Sequence, residues 1–344
     1  MLYTDVMIES LAYELPEMRK SSADLEEQLK PLYNALSLSP GLLELMTGVK
    51  ERRLWPSHLP PSHLAASVAG RALQQSGIAT RDISLLIYTG VCRDFIEPAT
   101  AHIIHHRLSL GRECLTFDLS NACVGFLNGM LIAANMIENG QVEKALIVSA
   151  ESASPLYEKT IARLNDDPTE RAYRSSLASL TLGSASAAVV LSKAKGAYPR
   201  LLGGISRTAS EHHTLCQGSG DFRNPFMRTD SVNLMKEGLK LAKLAWQDFL
   251  GELKWGTSTP ACILTHQVSQ SHHAKFFETL ELDPSRGQND LPYLGNTGSV
   301  AAPLSLALSA EAGRLHAGDK IAMLGIGSGL TTLMLGLQWN YPHS

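Results

Sequence analysis

The sequence is poor in cysteine, in charge imbalance and in long apolar runs, and each shortage excludes a class of protein. Five cysteines are spread over 344 residues. Cys92, Cys114, Cys123, Cys216 and Cys262 are odd in number and show no C-x-x-C spacing. A disulfide framework or a zinc site is therefore not expected. No run approaches the roughly 20 apolar residues that span a bilayer. The opening "MLYTDVMIES" lacks the basic start and apolar stretch of a secretory leader. Lys+Arg number 30 against 33 Asp+Glu, a formal net charge of −3. With no long basic run, nucleic acid is not an expected partner. What is left is a soluble, cytoplasmic chain. Its 44% hydrophobic and 18% charged residues suit a substantial core, enough for one large layered domain or two smaller ones.

What is present is a repeated order of elements. Residues 21–47 read as helical, with Ser21 and Ser22 as caps. "PPSHLAASVAGRALQQSGI" reads as a helix ending at Gly77, and "ISLLIYTGV" as a short apolar strand of the buried parallel kind. "EPATAHIIHHRLSLG" reads as a helix with Pro98 near its first turn. A strand "CLTFDLS", a helix "CVGFLNGMLIAANMIENG" and a strand "KALIVSAES" follow. The second half gives a long amphipathic helix "SVNLMKEGLKLAKLAWQDFLGEL" and the strand "ACILTHQVS". It then gives a small-residue turn and helix "LGNTGSVAAPLSLALSAEAGRLHAG" and a strand "KIAMLGIGSGL". "NACVGFLNGMLIAANMIENGQVEKALIVSAE" overlays "NTGSVAAPLSLALSAEAGRLHAGDKIAMLGIGS" at an offset of about 175 residues. This predicts an internal duplication of a β-α-β-α unit, with halves at 1–182 and 183–344, stacked as a layered α/β fold. The polar stretch 155–182 has no counterpart and is expected to be an insertion over the surface or a site entrance.

In α/β units, catalytic groups collect at the carboxyl ends of strands. Five places there carry distinctive residues: Cys123, His266, Asn296, the "GIGSG" loop and Glu97. Cys123 sits where a strand gives way to a helix, whose N-terminal dipole favours a thiolate. A thiolate attacks thioester carbons. The same cysteine also reads as a small buried apolar residue. His266 suits hydrogen bonding to a carbonyl or a proton relay, or equally a core histidine. Asn296 suits an oxyanion donor, or a turn beside glycine. "GIGSG" suits backbone donors to an oxyanion, but lacks the spacing of a dinucleotide loop. The histidines at 102, 105 and 106, at 212 and 213, and at 272 and 273 read as surface or helix-face residues, not metal ligands. The joint order of Cys, His, Asn and glycine loop on a duplicated unit is more specific than any one of them.

On "DLSNACVGF", "THQVS", "LGNTGSVAAP" and "GIGSGL" the chain resembles the thiolase superfamily, and within it the type III ketoacyl synthases, from residue 1 to about 339. That resemblance implies a five-layered αβαβα thiolase fold, a homodimer, and a Cys123–His266–Asn296 triad. "RRLW", "CRDFIEPATA", "FDLSNACVGFLNGM", "YEKT", "LASLTLG", "HQVSQSH" and "MLGIGSGL" resemble the OleA branch, whose enzymes join two fatty acyl chains head to head. The branch implies that Glu97 enters the partner's active site as a base. Ser269 stands in "HQVS" where type III synthases commonly have asparagine, a feature shared by this branch.

The resemblance assigns roles. Cys123 carries the acyl group, with backbone N–H groups of Cys123 and Ser328 as oxyanion hole. His266 and Asn296 hold the second thioester carbonyl, and Glu97 removes an α-proton. Arg52, Arg53 and Trp55 match contacts to CoA; their plain alternative is a solvated basic pair and a wall residue. The expected product is a 2-alkyl-3-oxoalkanoate, with acyl-CoA as substrate and no cofactor. The alternatives are a decarboxylating 3-oxoacyl synthase using malonyl-acyl carrier protein, or a non-catalytic acyl-binding or scaffolding subunit. Chain length, the donor carrier and any downstream pathway enzymes stay open.

Overall fold

The computed structural model describes residues 1–193, 196 and 198–340. Its strands are β1 (Val6–Glu14), β2 (Arg19–Ser21), β3 (Glu51–Arg53), β4 (Leu85–Tyr88), β5 (Leu115–Asp118), β6 (Lys144–Glu151), β7 (Ala185–Lys193), β8 (Arg200–Thr208), β9 (Cys216–Ser219), β10 (Phe226–Thr229), β11 (Cys262–Thr265), β12 (Lys320–Gly327) and β13 (Thr331–Gln338). Its helices are α1 (Ser22–Gln28), α2 (Lys30–Ala35), α3 (Leu42–Thr47), α4 (Pro61–Ser76), α5 (Thr100–Leu108), α6 (Gly125–Glu138), α7 (Ser154–Asp166), α8 (Glu170–Ser176), α9 (Ser231–Leu253), α10 (Gln270–Thr279), α11 (Leu291–Leu294) and α12 (Ala301–Glu311).

Nine strands form one hydrogen-bonded sheet in the order β11-β12-β13-β8-β1-β7-β6-β4-β5. Its two ends repeat one pattern. β4 pairs parallel with β6, β6 antiparallel with β7, and β7 antiparallel with β1. Likewise β11 pairs parallel with β12, β12 antiparallel with β13, and β13 antiparallel with β8. Even β5, beside β4, has a trace of a counterpart in the parallel bridge from Ile263 to Gly287. The halves join through β1 and β8 at Met7 and Arg200. By this pairing β7 goes with the first unit. Measured on strands, the division falls between β7 and β8 rather than at 182/183.

The apolar residues sort into layers. α4 and α5 cover the outer face of the first half-sheet, with Val68, Ala69 and Ile104 against Leu86, Leu146 and Val190. α9 and α10 cover the second, with Trp246, Phe249 and Phe277 against Ile263 and Leu324. Between the halves lie α6 and α12, whose Leu127, Met130, Leu304 and Leu306 share one core with Ile87, Ile147 and Val189 on one side and Leu264, Met323 and Leu333 on the other. A helix between two sheets must be apolar all round, and "AAPLSLALSAE" and "GFLNGMLIAANMIE" are nearly so. This is a mixed α/β fold, a central sheet flanked by helices in the αβαβα layering of thiolases.

Gly77 takes a left-handed conformation at the end of α4. The stretch 155–182 forms α7 and α8, whose Tyr157, Leu164 and Tyr173 pack on Leu25, Leu29 and Leu32 of the N-terminal helices. The helical stretch 21–47 is three short helices. Glu97 and Pro98 lie before α5, whose first N–H groups, on Thr100 and Ala101, donate to Asp118 at 2.9 and 2.8 Å.

Arg52 is a correction. It is 0% exposed, so it has no surface to offer a CoA phosphate. Its guanidinium donates to Ser22 Oγ at 3.1 Å, to Leu180 O at 3.1 Å and to Lys20 O at 3.3 Å. It thereby ties the antiparallel β2–β3 pair to the segment that carries Leu180 to Gly183. Arg52→Lys should lower stability by on the order of 3 kcal/mol, because two of these acceptors lose their charged donor in a dry site. Thermal unfolding checks this. A variant with unchanged melting temperature but a raised KM for acyl-CoA would restore the phosphate role.

Candidate active site

The strand β5 ends at Asp118, and the chain then turns sharply into α6. At this turn Ala122 has φ +47°, the left-handed region that a residue with a Cβ seldom adopts. Cys123 follows it in a single 3-10 turn, Ala122–Val124, so its side chain is presented at the mouth of the helix. Gly125 must be glycine here, because a Cβ would lie 2.6 Å from Thr89 O. The end of β12 closes on the same turn. Val124 side-chain atoms line Gly325, and a Cβ on Gly327 would lie 3.3 Å from Asn121 O. Ser328 comes next, so the two expected backbone donors, Cys123 and Ser328, belong to one junction.

The 3-10 turn Gly298–Val300 packs against the turn of Cys123. Asn296 precedes it and is clamped by backbone bonds: Asn296 N donates to Thr181 O and Gly183 N to Asn296 O, both at 2.8 Å. These are the residues next to Leu180, which Arg52 holds. Gly298 N donates to Asn296 Oδ1 at 2.9 Å, which fixes the amide with its oxygen inward. His266, just past β11, has Nε2 at 3.1 Å from the same oxygen. Asn296 Nδ2 makes no hydrogen bond among the described residues. It is a donor held in place with nothing to donate to.

Burial sets the protonation states. It depresses His266 to about 4, with the Asn296 contact and the Ile326 backbone acting in the other direction. The imidazole is therefore neutral near pH 7. Cys123 differs from expectation. Its own backbone N–H does favour the thiolate, as a helix start should. Burial outweighs it, however, and with the electrostatic effect of nearby Glu151 and Cys216 pushes the thiol well above its ordinary value. In the unliganded chain Cys123 is a thiol.

Of the expected surface or helix-face histidines, His272 and His273 lie on α10 and are half-buried. With His266, Thr265, Phe276, Leu324 and Ile326 they line a cavity of about 10 Å³, and burial depresses His272 to about 4. Ser269 caps α10, accepting from His272 N at 3.2 Å. Arg53 donates to Pro16 O at 3.0 Å. Trp55 lines an open cavity of about 850 Å³ with Leu54, Pro56, Leu59 and Arg71. Neither bonds to Cys123, His266 or Asn296. Glu97 is exposed and bonds to none of them either, lying just after exposed Val91, Phe95 and Ile96. A residue the sequence did not flag is Glu151. It ends β6, is 5% exposed, and lies close enough to act on Cys123. The strand-end rule that selected Cys123 applies to it equally, and in the overlay of the halves it falls opposite Ser328.

The models of the 3-oxoacyl-[acyl-carrier-protein] synthase III family match residues 117–203 and, for its C-terminal part, 250–339. An acyl-CoA:acyl-CoA alkyltransferase of Shewanella oneidensis is 40% identical over 98% of this chain and 100% of its own length. A β-ketoacyl-[acyl-carrier-protein] synthase III of Bacillus pumilus is 29% identical over 94% of this chain and 96% of its own. The OleA crystal structure of Xanthomonas campestris with cerulenin superposes with a TM-score of 0.95 at 38% identity, covering 98% of each chain. A cysteine-to-serine variant of that OleA, with lauric acid and lauroyl-CoA bound, superposes with a TM-score of 0.94. The chain belongs to the OleA family of acyl-CoA:acyl-CoA alkyltransferases. It is a thiolase-superfamily acyltransferase, and of the readings the sequence left open, head-to-head condensation is favoured over a decarboxylating synthase and a silent subunit.

For an OleA-family chain with a thiol held this high, the alkylation of Cys123 by iodoacetamide should track the thiolate fraction. The rate should climb about tenfold per pH unit through pH 9 without levelling. Peptide mass spectrometry over a pH series reads it. A plateau below pH 8 would mean that the helix start outweighs burial after all.

Proposed function

We propose that this chain joins two fatty acyl-CoA molecules by a non-decarboxylative Claisen condensation, and that Cys123, His266, Asn296 and Glu97 carry it. The observation that carries the reading is the packing of the Cys123 turn on the Gly298–Val300 turn, which follows Asn296, whose side chain is held 3.1 Å from His266. Cys123 Sγ attacks the thioester of the first acyl-CoA, and CoA leaves. The N–H groups of Cys123 and Ser328 face the oxyanion of that step. Neutral His266 is the base available to a thiol that starts protonated. The second acyl-CoA then places its thioester carbonyl at Asn296 Nδ2 and His266, where enolate charge develops. Its α-carbon, once deprotonated, attacks the acyl-cysteine and expels the Cys123 sulfur, giving a 2-alkyl-3-oxoacyl-CoA; water then cleaves that thioester, releasing CoA and the 2-alkyl-3-oxoalkanoate.

The second step needs a base, because an unactivated acyl chain carries no carboxylate to lose. Glu97 is proposed for it, acting in the other subunit of a homodimer. Its exposure, its lack of any hydrogen bond or ion pair among the described residues, and the apolar Val91, Phe95 and Ile96 before it (56%, 40% and 85% exposed) support a segment meant to be covered. β5 ends the sheet with Leu115 half exposed, and an open edge strand is a ready pairing surface. The bound lauroyl-CoA in the Xanthomonas enzyme supports acyl-CoA as the donor here. Arg53 and Trp55 remain the proposed CoA contacts, with Arg52 withdrawn.

Glu97→Gln should still take up an acyl group on Cys123, seen as an adduct in intact-protein mass spectrometry, while Cys123→Ala takes up none. Release of condensed product by Glu97→Gln should fall about 10²–10⁴-fold. A Glu97→Gln enzyme that condenses at the wild-type rate would reduce Glu97 to a surface carboxylate.

A further inference from the structure

Glu151 is a buried carboxylate with no lysine, arginine or histidine paired to it among the described residues. Its oxygens are satisfied instead by two loops. From one side, Val91 N donates to Oε1 at 3.0 Å and Cys92 N to Oε2 at 3.3 Å. From the other, Ser299 N and Oγ donate to Oε1 at 3.3 and 2.6 Å. Gly298 completes the fit: its φ is +57°, and a Cβ there would lie 3.2 Å from the Glu151 carboxyl group. Ser299 Oγ also meets Ser149 Oγ at 2.7 Å, so the turn is held to the same strand twice.

The two loops belong to different parts of the reaction. The turn at Ser299 is continuous with Asn296. The segment at Val91 and Cys92 is the base of the arm that carries Glu97. That base is pinned throughout: Tyr88 Oη donates to Cys92 O, Phe222 N to Arg93 O at 3.2 Å, and Ser62 N and Oγ to Asp94 at 2.8 and 2.6 Å. Phe95, Ile96, Glu97 and Pro98 run out from it exposed. Both the base of the arm and the turn after Asn296 bond to the side chain of Glu151.

We propose that Glu151 is a positioning residue for condensation: its carboxylate locks the Glu97-bearing arm to the Asn296-bearing turn, so each subunit's own site sets the aim of the base it lends to its partner. This rests on the reading that Glu97 acts across a dimer. A carboxylate suits the place because every group facing it is a donor. An amide would turn one N–H toward another and lose at least one of the four bonds. A base displaced by about 1 Å costs on the order of 10²-fold in rate.

The test uses mixed dimers of the full chain, one subunit Cys123→Ala and the other Glu97→Ala, purified by separate tags. Their single complete site has the cysteine of the second and the glutamate of the first. Product from this parent pair checks the reading beneath; no product overturns that reading alone. Glu151→Gln is then added to the Cys123→Ala subunit, whose own site is already dead. The expected result is unchanged acylation of the other subunit's Cys123 with a roughly 10- to 100-fold loss of condensed product. Unaltered condensation overturns the proposal. Hydrogen exchange on the Glu151→Gln homodimer stands independently of the parent pair. Peptides over 91–97 and over 296–299 should exchange faster together, and protection unchanged in either counts against the lock. If Glu151→Gln does not fold, Ser299→Ala removes the shortest bond to Glu151 and takes its place in both measurements, with the same outcomes deciding.

Discussion

Two helices, α6 and α12, are buried between the half-sheets, and the rest of the molecule follows from that constraint. Each starts where a strand has just ended, as units of this kind require. Because both are sandwiched by the same two half-sheets, their starts meet in the interior, and the 3-10 turn of Cys123 lies on that of Gly298–Val300. The junction of these two turns is thus a by-product of packing two copies of one β-α-β-α unit face to face. The residues that crowd there are small for the same reason. Gly125 stands where a backbone carbonyl approaches too closely for a Cβ, and at Gly298 and Gly327 a Cβ would be tight against a carboxylate and a backbone carbonyl.

The layered core also supplies the chemistry with a dry setting. Burial keeps His266 neutral and Cys123 protonated, so neither is charged before substrate arrives. On the proposed reading this divides the labour. The thiol gives up its proton as it attacks, with a neutral imidazole beside it. A donor amide, fixed by Gly298 and His266, waits for charge that develops only in the second step. Glu151 adds a negative charge near the thiol, which works against the thiolate. Its four hydrogen bonds give a structural reason for its presence at that cost.

Much of this was legible in the sequence, and the reason differs by residue. Cys123, His266 and Asn296 stood out because duplication marks equivalent strand ends, and only a few residue types there carry chemistry. Helix α9 was legible because its amphipathic period runs unbroken to Leu253. The strands β1, β7, β8 and β13 were not. "ASAAVVLSK" and "RLLGGISRT" mix serine, glycine and apolar residues without a clear period, and their pairing with distant strands decides their state. Arg52 misled because a basic pair beside Trp55 looks solvated until Ser22 and Leu180 close over it. Glu151 was passed over because a glutamate ending a strand is ordinarily solvated, and the donors that hold it come from loops some 60 and 148 residues away in sequence.

The central claim is that carbon–carbon bond formation here draws on two plain acyl chains and not on the loss of CO2. Incubating the enzyme with a single long-chain acyl-CoA, with no malonyl thioester present, and weighing the product by mass spectrometry tests it directly. The account predicts a 3-oxo product whose carbon count is the sum of both acyl chains, formed from that one substrate. Product that appears only after a malonyl thioester is added, with two carbons more than the acyl chain, would contradict it.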